Sequence, residues 1–416
     1  MINEIQEGIY FQSGARPGKF FAICFLEALQ DADGSSAQRC IDALWRRIAD
    51  LKKGIVPGIP GLTMPNGDLT ALIAFGPNCF KLSGTRTIPN GLKPQFRFLS
   101  PRTSGGGDLL RGSGLHYRAD IVKNVATEAV AIQFIAETQL ATYRAVVETQ
   151  RFLANYTDEF SDYPVLAMAS SFHGFQRDDH RSWIGFHDGT SNLRSGSQRE
   201  AALKIPTGEY EQGSYLTFIR LEVDLDQWEN LSRLEQEIMV GRDKVTGCAF
   251  DRLEVDGTPK TIQGCPILGT TQVSQSQPPG NTDFFEPPLV GNEELLQSHV
   301  QRANLQHNGN TADPQSLRIY RQGYEFLETS ANGSSLSVGL NFVAFQSTPS
   351  RVIGMLTRSG WLGAVNFGGV PNNEGSKIPD LLKVTAAGTY LAPPVREGDA
   401  FPGETIFLPG ESILVG

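Results

Sequence analysis

The 416-residue chain holds six histidines, few enough to weigh singly. His173, His180 and His187 stand seven apart and end beside Asp188, a spacing that on a helix would set three imidazoles on one side as metal ligands. Gly174 and Gly185 interrupt that stretch, and Gly185-Phe186-His187-Asp188-Gly189 has the composition of a loop, so the three read as solvated loop histidines. His299 is different. It follows Glu293-Glu294-Leu295-Leu296 in a short helical segment and shares a face with Leu295, Leu296 and Val300. An imidazole on an apolar face is either a satisfied core residue or a ligand presented to an apolar cofactor such as a porphyrin. Arg321 is the second anomaly. In Leu317-Arg318-Ile319-Tyr320-Arg321, strand alternation sets it in the row of Leu317 and Ile319, opposite Arg318 and Tyr320. A charge in a buried row is costly unless paired, so Arg321 serves either an internal ion pair or an active site. Asp188, in its loop, is open to the same pair of readings, since turn aspartates are common.

These residues must be positioned by elements that the apolar pattern outlines. The first half reads as a strand at 19–28, then a helix in which Cys40, Ala43, Leu44, Ile48 and Leu51 recur at helical spacing, with Ser36 as its cap. Strands follow at 69–75 and 115–119. Asp120 then caps a second helix with Val122, Val125, Ala129 and Ile132 on one face, and a last strand runs through 164–172. The second half repeats the order: a strand at 214–223, a helix at 227–240, strands at 317–326 and 338–345, a helix at 349–358 and a strand at 388–393. A long irregular insertion spans about 245–315. Two β-α-β-β-α-β units in tandem predict an α+β protein of two ferredoxin-like units with antiparallel sheets. The domains expected are 1–184, a connecting loop at 185–212, and 213–416 with the insertion. A single doubly wound domain is the alternative, and the adjacent paired strands in each half argue against it.

Composition excludes several classes. Apolar residues make up 40% and charged residues 19%, so the chain is not disordered. Its net charge of −9 opposes a non-specific grip on nucleic acid. The densest apolar run, Phe20–Leu26, stops at Glu27, well short of a membrane span. The amino terminus carries no secretory pattern, and the five cysteines are an odd, scattered set. The expectation is a cytoplasmic globular protein without a disulfide framework.

The arrangement of a Gly-x-x-Asp-Gly loop, then a histidine, then a strand arginine resembles the dye-decolourising peroxidases, haem enzymes of two ferredoxin-like domains. Gly185–Asn192 is similar to the family's GxxDG loop with its Thr and Asn continuation, Ser298–Asn304 to the proximal-histidine segment, and Leu317–Gly323 to the strand of the distal arginine. Gly213–Leu216 with Trp228, Glu235–Glu237 with Gly241-Arg242, and Gly339–Gln346 add to the likeness. The resemblance implies one haem b per chain, bound mainly by the C-terminal unit, with His299 on the iron and Asp380 as acceptor for its other ring nitrogen. It makes Asp188 a proton shuttle and Arg321 a charge stabiliser in a reaction of hydrogen peroxide through a high-valent iron intermediate, with phenols or dyes as reductants. Gly189, Thr190, Asn192 and Arg302 become candidates for holding the haem propionates or the adjoining loop, and Leu340 and Phe342 for lining the cofactor. Assembly into homo-oligomers is also implied. Three positions depart from the family pattern: Gln301 where arginine is frequent, Leu305 where proline is, and Gly323 where Asn or Ser is. Two other readings stand beside it. A haem-handling or haem-sensing protein needs His299 but not the Asp188–Arg321 pair, and a cofactor-free binding module needs none of them. The four tryptophans read singly as core packing.

Overall fold

The apolar run Phe20–Ala28 forms a strand, β1, buried along both faces. Ala22, Cys24 and Leu26 turn toward helices, whereas Phe21, Ile23 and Phe25 turn into a second core, which is why the run shows no polar alternation. The computed structural model describes residues 3–9, 18–83, 86–93, 116–117, 128–158, 160, 163–187, 192–193, 196–261, 293–303, 319–329, 333, 335–357, 361–369 and 381–407.

Helix α1, Gly34–Lys52, follows β1. Its cap is Asp33 rather than Ser36: Asp33 accepts from the Ser36 backbone N–H at 2.7 Å, and the Ser36 hydroxyl accepts from Asp33 N–H at 3.0 Å. Ser36 thus closes a capping box from the third helical position. Strand β2 is Thr70–Phe75, β3 Val130–Ala136, helix α2 Gln139–Asn155, and β4 Leu166–Phe175.

Here the sequence expectation needs correction. Ala129 and Ile132, assigned to a helix capped by Asp120, lie at and within β3; Asp120, Val122 and Val125 fall outside the described residues. The run Val130–Ala136 is buried at every position, and a short run buried all round does not reveal its period. The true helix, α2, starts at its Thr138 cap and escaped notice because Leu140, Tyr143 and Val147 are exposed and blur its apolar stripe. The expected strand at 115–119 is His116–Tyr117, which pairs parallel with a strand of the second unit.

In the second unit β5 is Ser214–Val223. The expected single helix is two, α3 at Leu225–Glu229 and α4 at Arg233–Val240, because Ser232 starts a fresh capping box with Glu235. The insertion holds a hairpin, β6 Phe250–Leu253 and β7 Pro259–Thr261, and two single-turn helices, α5 Glu293–Leu296 and α6 His299–Arg302. Then come β8 Tyr320–Arg321, β9 Tyr324–Thr329, β10 Leu336–Gln346, α7 Ser350–Thr357 and β11 Leu382–Ala392. The register runs unbroken from Arg321↔Ala344 to Tyr324↔Asn341, so β8 and β9 share one ladder with β10.

Both units order their strands fourth, first, third, second: β4-β1-β3-β2 and β11-β5-β10-β9, all antiparallel. These are the two tandem ferredoxin-like units expected. Their sheets join at Glu325↔Phe175 and at Leu391↔Phe75, closing a ring around a core of Phe21, Phe25, Phe218, Val343, Phe345 and Tyr390. Packing crosses between the units as well: Phe401, Ile406 and Phe407 lie in the cluster under α1. Cys24, Cys40 and Cys79 are buried free thiols, while Cys248 is disulfide-bonded, a bond that its scattered spacing did not announce. No helix among the described residues is long and apolar enough to cross a membrane.

Candidate active site

Alternation along β10 divides the second sheet into an inner and an outer face. Val343 and Phe345 point into the ring, whereas Phe342 and Ala344 point outward with Ile219 and Leu221 of β5, beneath Val352 and Ile353 of α7. Arg321 lies opposite Ala344, and residues directly opposed across a ladder share a face. Its half-buried side chain therefore belongs to the outer row, with Ile319, as the alternation of the sequence had placed it. Leu340 and Phe342, both half-buried, stand on the same face.

Asn192 is joined to this strand. Its side-chain Oδ1 accepts from Arg321 N–H at 3.1 Å, and its Nδ2 donates to the Arg321 carbonyl at 2.7 Å. Asp188, Gly189 and Thr190 lie outside the described residues. The segment leading to them is a tight loop in which Ser182 N–H donates to Phe186 O at 2.9 Å and Arg181 bridges to His187. Arg181 holds that loop from behind. Its guanidinium donates to the carbonyls of Gly185 (2.7 Å), Val245 (2.9 Å) and Lys244, and burial holds its pKa below the usual arginine range. Gly185, at φ +87°, leaves room for the Lys244 side chain, which a Cβ there would meet at 2.4 Å. His173 lies on β4 and His180 in a turn with φ +56°. No group of three His, Cys, Asp or Glu among the described residues is arranged to hold a bare metal ion.

His299 opens α6 over the same outer face. Helix α6 is seated on the end of α4, where Gly241 adopts φ +86° and comes so close that a Cβ would stand 2.5 Å from Ser298 Oγ. The His299 ring stacks on Phe367, with centroids 4.2 Å apart and planes at 8°, and its Nδ1 lies 3.0 Å from the Phe367 carbonyl oxygen. A carbonyl can only accept, so Nδ1 carries the proton and donates it. The Phe367 ring meets Trp228 edge-on, and Phe367 and Val223 of β5 pack against the same buried cluster of Trp228, Leu231, Val240 and Leu381. Val223 shares its face with Ile219 and Leu221, so the imidazole segment stands on the outer side of the second sheet.

Arg302, 4% exposed, donates to the side chain of Gln297 and, at 3.4 Å, to the Gly369 carbonyl, and burial lowers its pKa. Asp380 lies outside the described residues. Sequence reasoning missed Phe367 and Arg181. The pair Gly368-Gly369 marked a close backbone approach, but a carbonyl acceptor leaves no side-chain signature to read.

Two ferredoxin-like units closed into a ring, with an imidazole and a guanidinium on the outer side of the second sheet, define a two-unit α+β protein. Residues 179–397 match the family model described as Dyp-type peroxidase, C-terminal. The chain belongs to the Dyp-type peroxidase family, whose members bind haem. Its fold is that of the DyP-type peroxidase from Cellulomonas bogoriensis (TM-score 0.66, 18% identity, 96% of each chain covered) and of ferric DtpA from Streptomyces lividans (0.63, 19%, 97% of each). A deferrochelatase of Escherichia coli (strain K12) is 23% identical over 231 residues, 54% of this chain. That match spans 45% of the relative's own length, so the chain covers about half of it.

The described residues fit a haem on the His299 side. A proton held on Nδ1 leaves the ring's lone pair on Nε2, the form in which histidine ligates iron, and the Phe367 carbonyl accepts the hydrogen bond from Nδ1.

Proposed function

We propose that the chain is a haem-dependent peroxidase that uses hydrogen peroxide to oxidise phenolic compounds and dyes. The observation that carries this reading is the His299 imidazole, fixed in its iron-binding tautomer over the sheet face that also presents Arg321. Haem b, held through His299, would supply the redox chemistry that the reaction with hydrogen peroxide requires. The chain's own residues do the rest. Asp188 moves a proton from one oxygen of hydrogen peroxide to the departing one, which leaves as water. The Arg321 guanidinium stabilises the charge that develops as that bond breaks. Asn192 holds the Arg321 backbone against the end of the Asp188 loop, and Leu340 and Phe342 line the cofactor's side of the sheet. Gly189, Thr190 and Arg302 hold the haem edge and the loop beside it.

The test is the absorption spectrum of the purified holoprotein before and after one equivalent of peroxide, with His299→Ala alongside. The expected results are a Soret band that peroxide shifts and a dye restores, and loss of haem in the variant. A variant retaining full haem content and the wild-type spectrum would move the iron-binding role to another residue.

The likeness to a deferrochelatase favours a second reading, a haem-handling protein of the same fold. It needs His299 but not Asp188 and Arg321. Peroxide-dependent dye oxidation that survives in Arg321→Leu at full haem loading excludes Arg321 from catalysis; absence of any such turnover in the wild type selects the haem-handling reading.

A further inference from the structure

We propose that Lys244 is a positioning residue for Asp188: its side chain, fixed to α4 at both ends, is the wall against which the loop leading to Asp188 is set. The inference rests on the haem-peroxidase reading in one respect, that Asp188 moves the proton of hydrogen peroxide. The Lys244 backbone N–H donates to Glu237 Oε1 at 2.9 Å, and its ammonium donates to Gln236 Oε1 at 2.5 Å. Both acceptors are buried side chains of α4. The Gln236 amide is itself tied down, its Nε2 donating to the carbonyls of Trp228 at 3.0 Å and Leu231 at 3.3 Å. A lysine stem held only at its root samples many rotamers; held at both ends, it is a rigid rod.

The loop lies against that rod. Gly185 brings its backbone so close to the stem that a Cβ would stand 2.4 Å from Lys244 Cε and 3.2 Å from its Nζ. The ammonium lies 5.6 Å from the centre of the buried Phe186 ring. At the next residue the turn that follows Lys244 takes over: a Cβ on Gly247, at φ +71°, would stand 3.3 Å from His187 Cδ2. Gly185, Phe186 and His187 thus meet the 244–247 turn in succession, and Asp188 is the next residue in the chain. Arg181 closes the contact by donating to the Gly185 and Lys244 carbonyls.

The same helix sets the imidazole. Gly241 ends α4 and seats α6, which begins at His299, while Gln236 and Glu237, about one turn earlier, hold Lys244. Groups that act on one small substrate must keep a fixed separation, and a misplacement of ~1 Å can cost about 10²-fold in rate. The lysine rod passes the position of α4 to the Asp188 loop. Its ammonium is spent on Gln236, so Lys244 acts through the loop.

The experiment uses the full-length holoprotein and has two readouts: amide hydrogen exchange in residues 182–187, and the stopped-flow rate of the reaction with hydrogen peroxide at matched haem loading. It compares Lys244→Ala and Lys244→Met, the latter keeping the stem but not the ammonium bond, in the wild-type and Asp188→Asn backgrounds. The expected result in Lys244→Ala is exchange about tenfold faster at the Ser182 and Gly185 amides, which donate within the loop at 2.9 and 2.8 Å. Its peroxide reaction should be slowed by ~10–100-fold in the wild-type background and not slowed further in Asp188→Asn, with Lys244→Met between. Wild-type exchange and rate in Lys244→Ala overturn the proposal. Equal slowing in both backgrounds overturns it too, since the effect then lies elsewhere than at Asp188. If Lys244→Ala fails to fold or to hold haem, Lys244→Met decides alone, and wild-type values there overturn the positioning role. The reading beneath the proposal is checked apart: Asp188→Asn reacting at the wild-type rate denies Asp188 its role, while the exchange rates still decide whether Lys244 holds the loop.

Discussion

The side chain of Asn192 and the backbone of Arg321 exchange two hydrogen bonds, one in each direction. The Gln322 N–H is given to Val343 on β10, so the neighbouring Arg321 N–H and carbonyl face the opposite edge, where Asn192 meets them. The chain from His187 to Asn192 is therefore held at both ends, by Arg181 and the 244–245 carbonyls on one side and by the Arg321 strand on the other.

Asn192→Ala removes both bonds and leaves a backbone donor and acceptor to find water. The expected cost is about 1–3 kcal/mol of stability. Thermal unfolding of the variant at fixed haem content measures it, and an unchanged midpoint would show that solvent replaces the pairing without loss.

Removing Arg321 is expected to harm peroxide chemistry more than removing Asp188, because a fixed positive charge has no solvent substitute whereas a proton path can be partly replaced by water. Arg321→Leu should slow the reaction with peroxide by ~10²–10³-fold. Stopped-flow mixing at matched haem loading gives the rate. The wild-type rate should fall on the acidic side as the Asp188 carboxylate becomes protonated, and Asp188→Asn should lose that limb; a limb that persists in the variant belongs to another group.

Gly241→Ala places a side chain at φ +86°, where its Cβ would stand 2.5 Å from Ser298 Oγ and 2.6 Å from Val300 Cγ2. The left-handed cap alone costs about 1 kcal/mol. The collision adds to that by lifting α6, the helix that begins at His299. Haem content per chain should fall together with the melting temperature, and normal haem content would show that α6 can shift without carrying the imidazole away.

Burial holds the His173 imidazole below its ordinary pKa; Glu328 opposes that shift and Arg220 adds to it. The folded chain thus binds this proton less readily than the unfolded chain. The contribution to stability is complete above the unfolded value, about 6.5, and is lost as pH falls from there through the lower folded value. The denaturant midpoint of the wild type should drop between about pH 7.5 and about pH 5.5, and that of His173→Gln should drop less. Equal drops would assign the acid sensitivity to other groups.

The residues that could be read in sequence are those whose environment is local. Arg321 shares its row with Ile319 because alternation along a strand needs no knowledge of the partner strand, and β5 was legible as a single apolar run. Strand β3 and helix α2 were not, since a run buried on both faces has no period and a helix with exposed Leu140, Tyr143 and Val147 shows no clean stripe. Only the tertiary structure decided which groups reach His299 and Arg321. Phe367 stands 68 positions from His299, and Asn192 stands 129 from Arg321. Both contacts are made with backbone groups, which every residue carries alike. Chain closure over such distances brings those groups together, and no pattern in side-chain chemistry records which carbonyl or which N–H will be met.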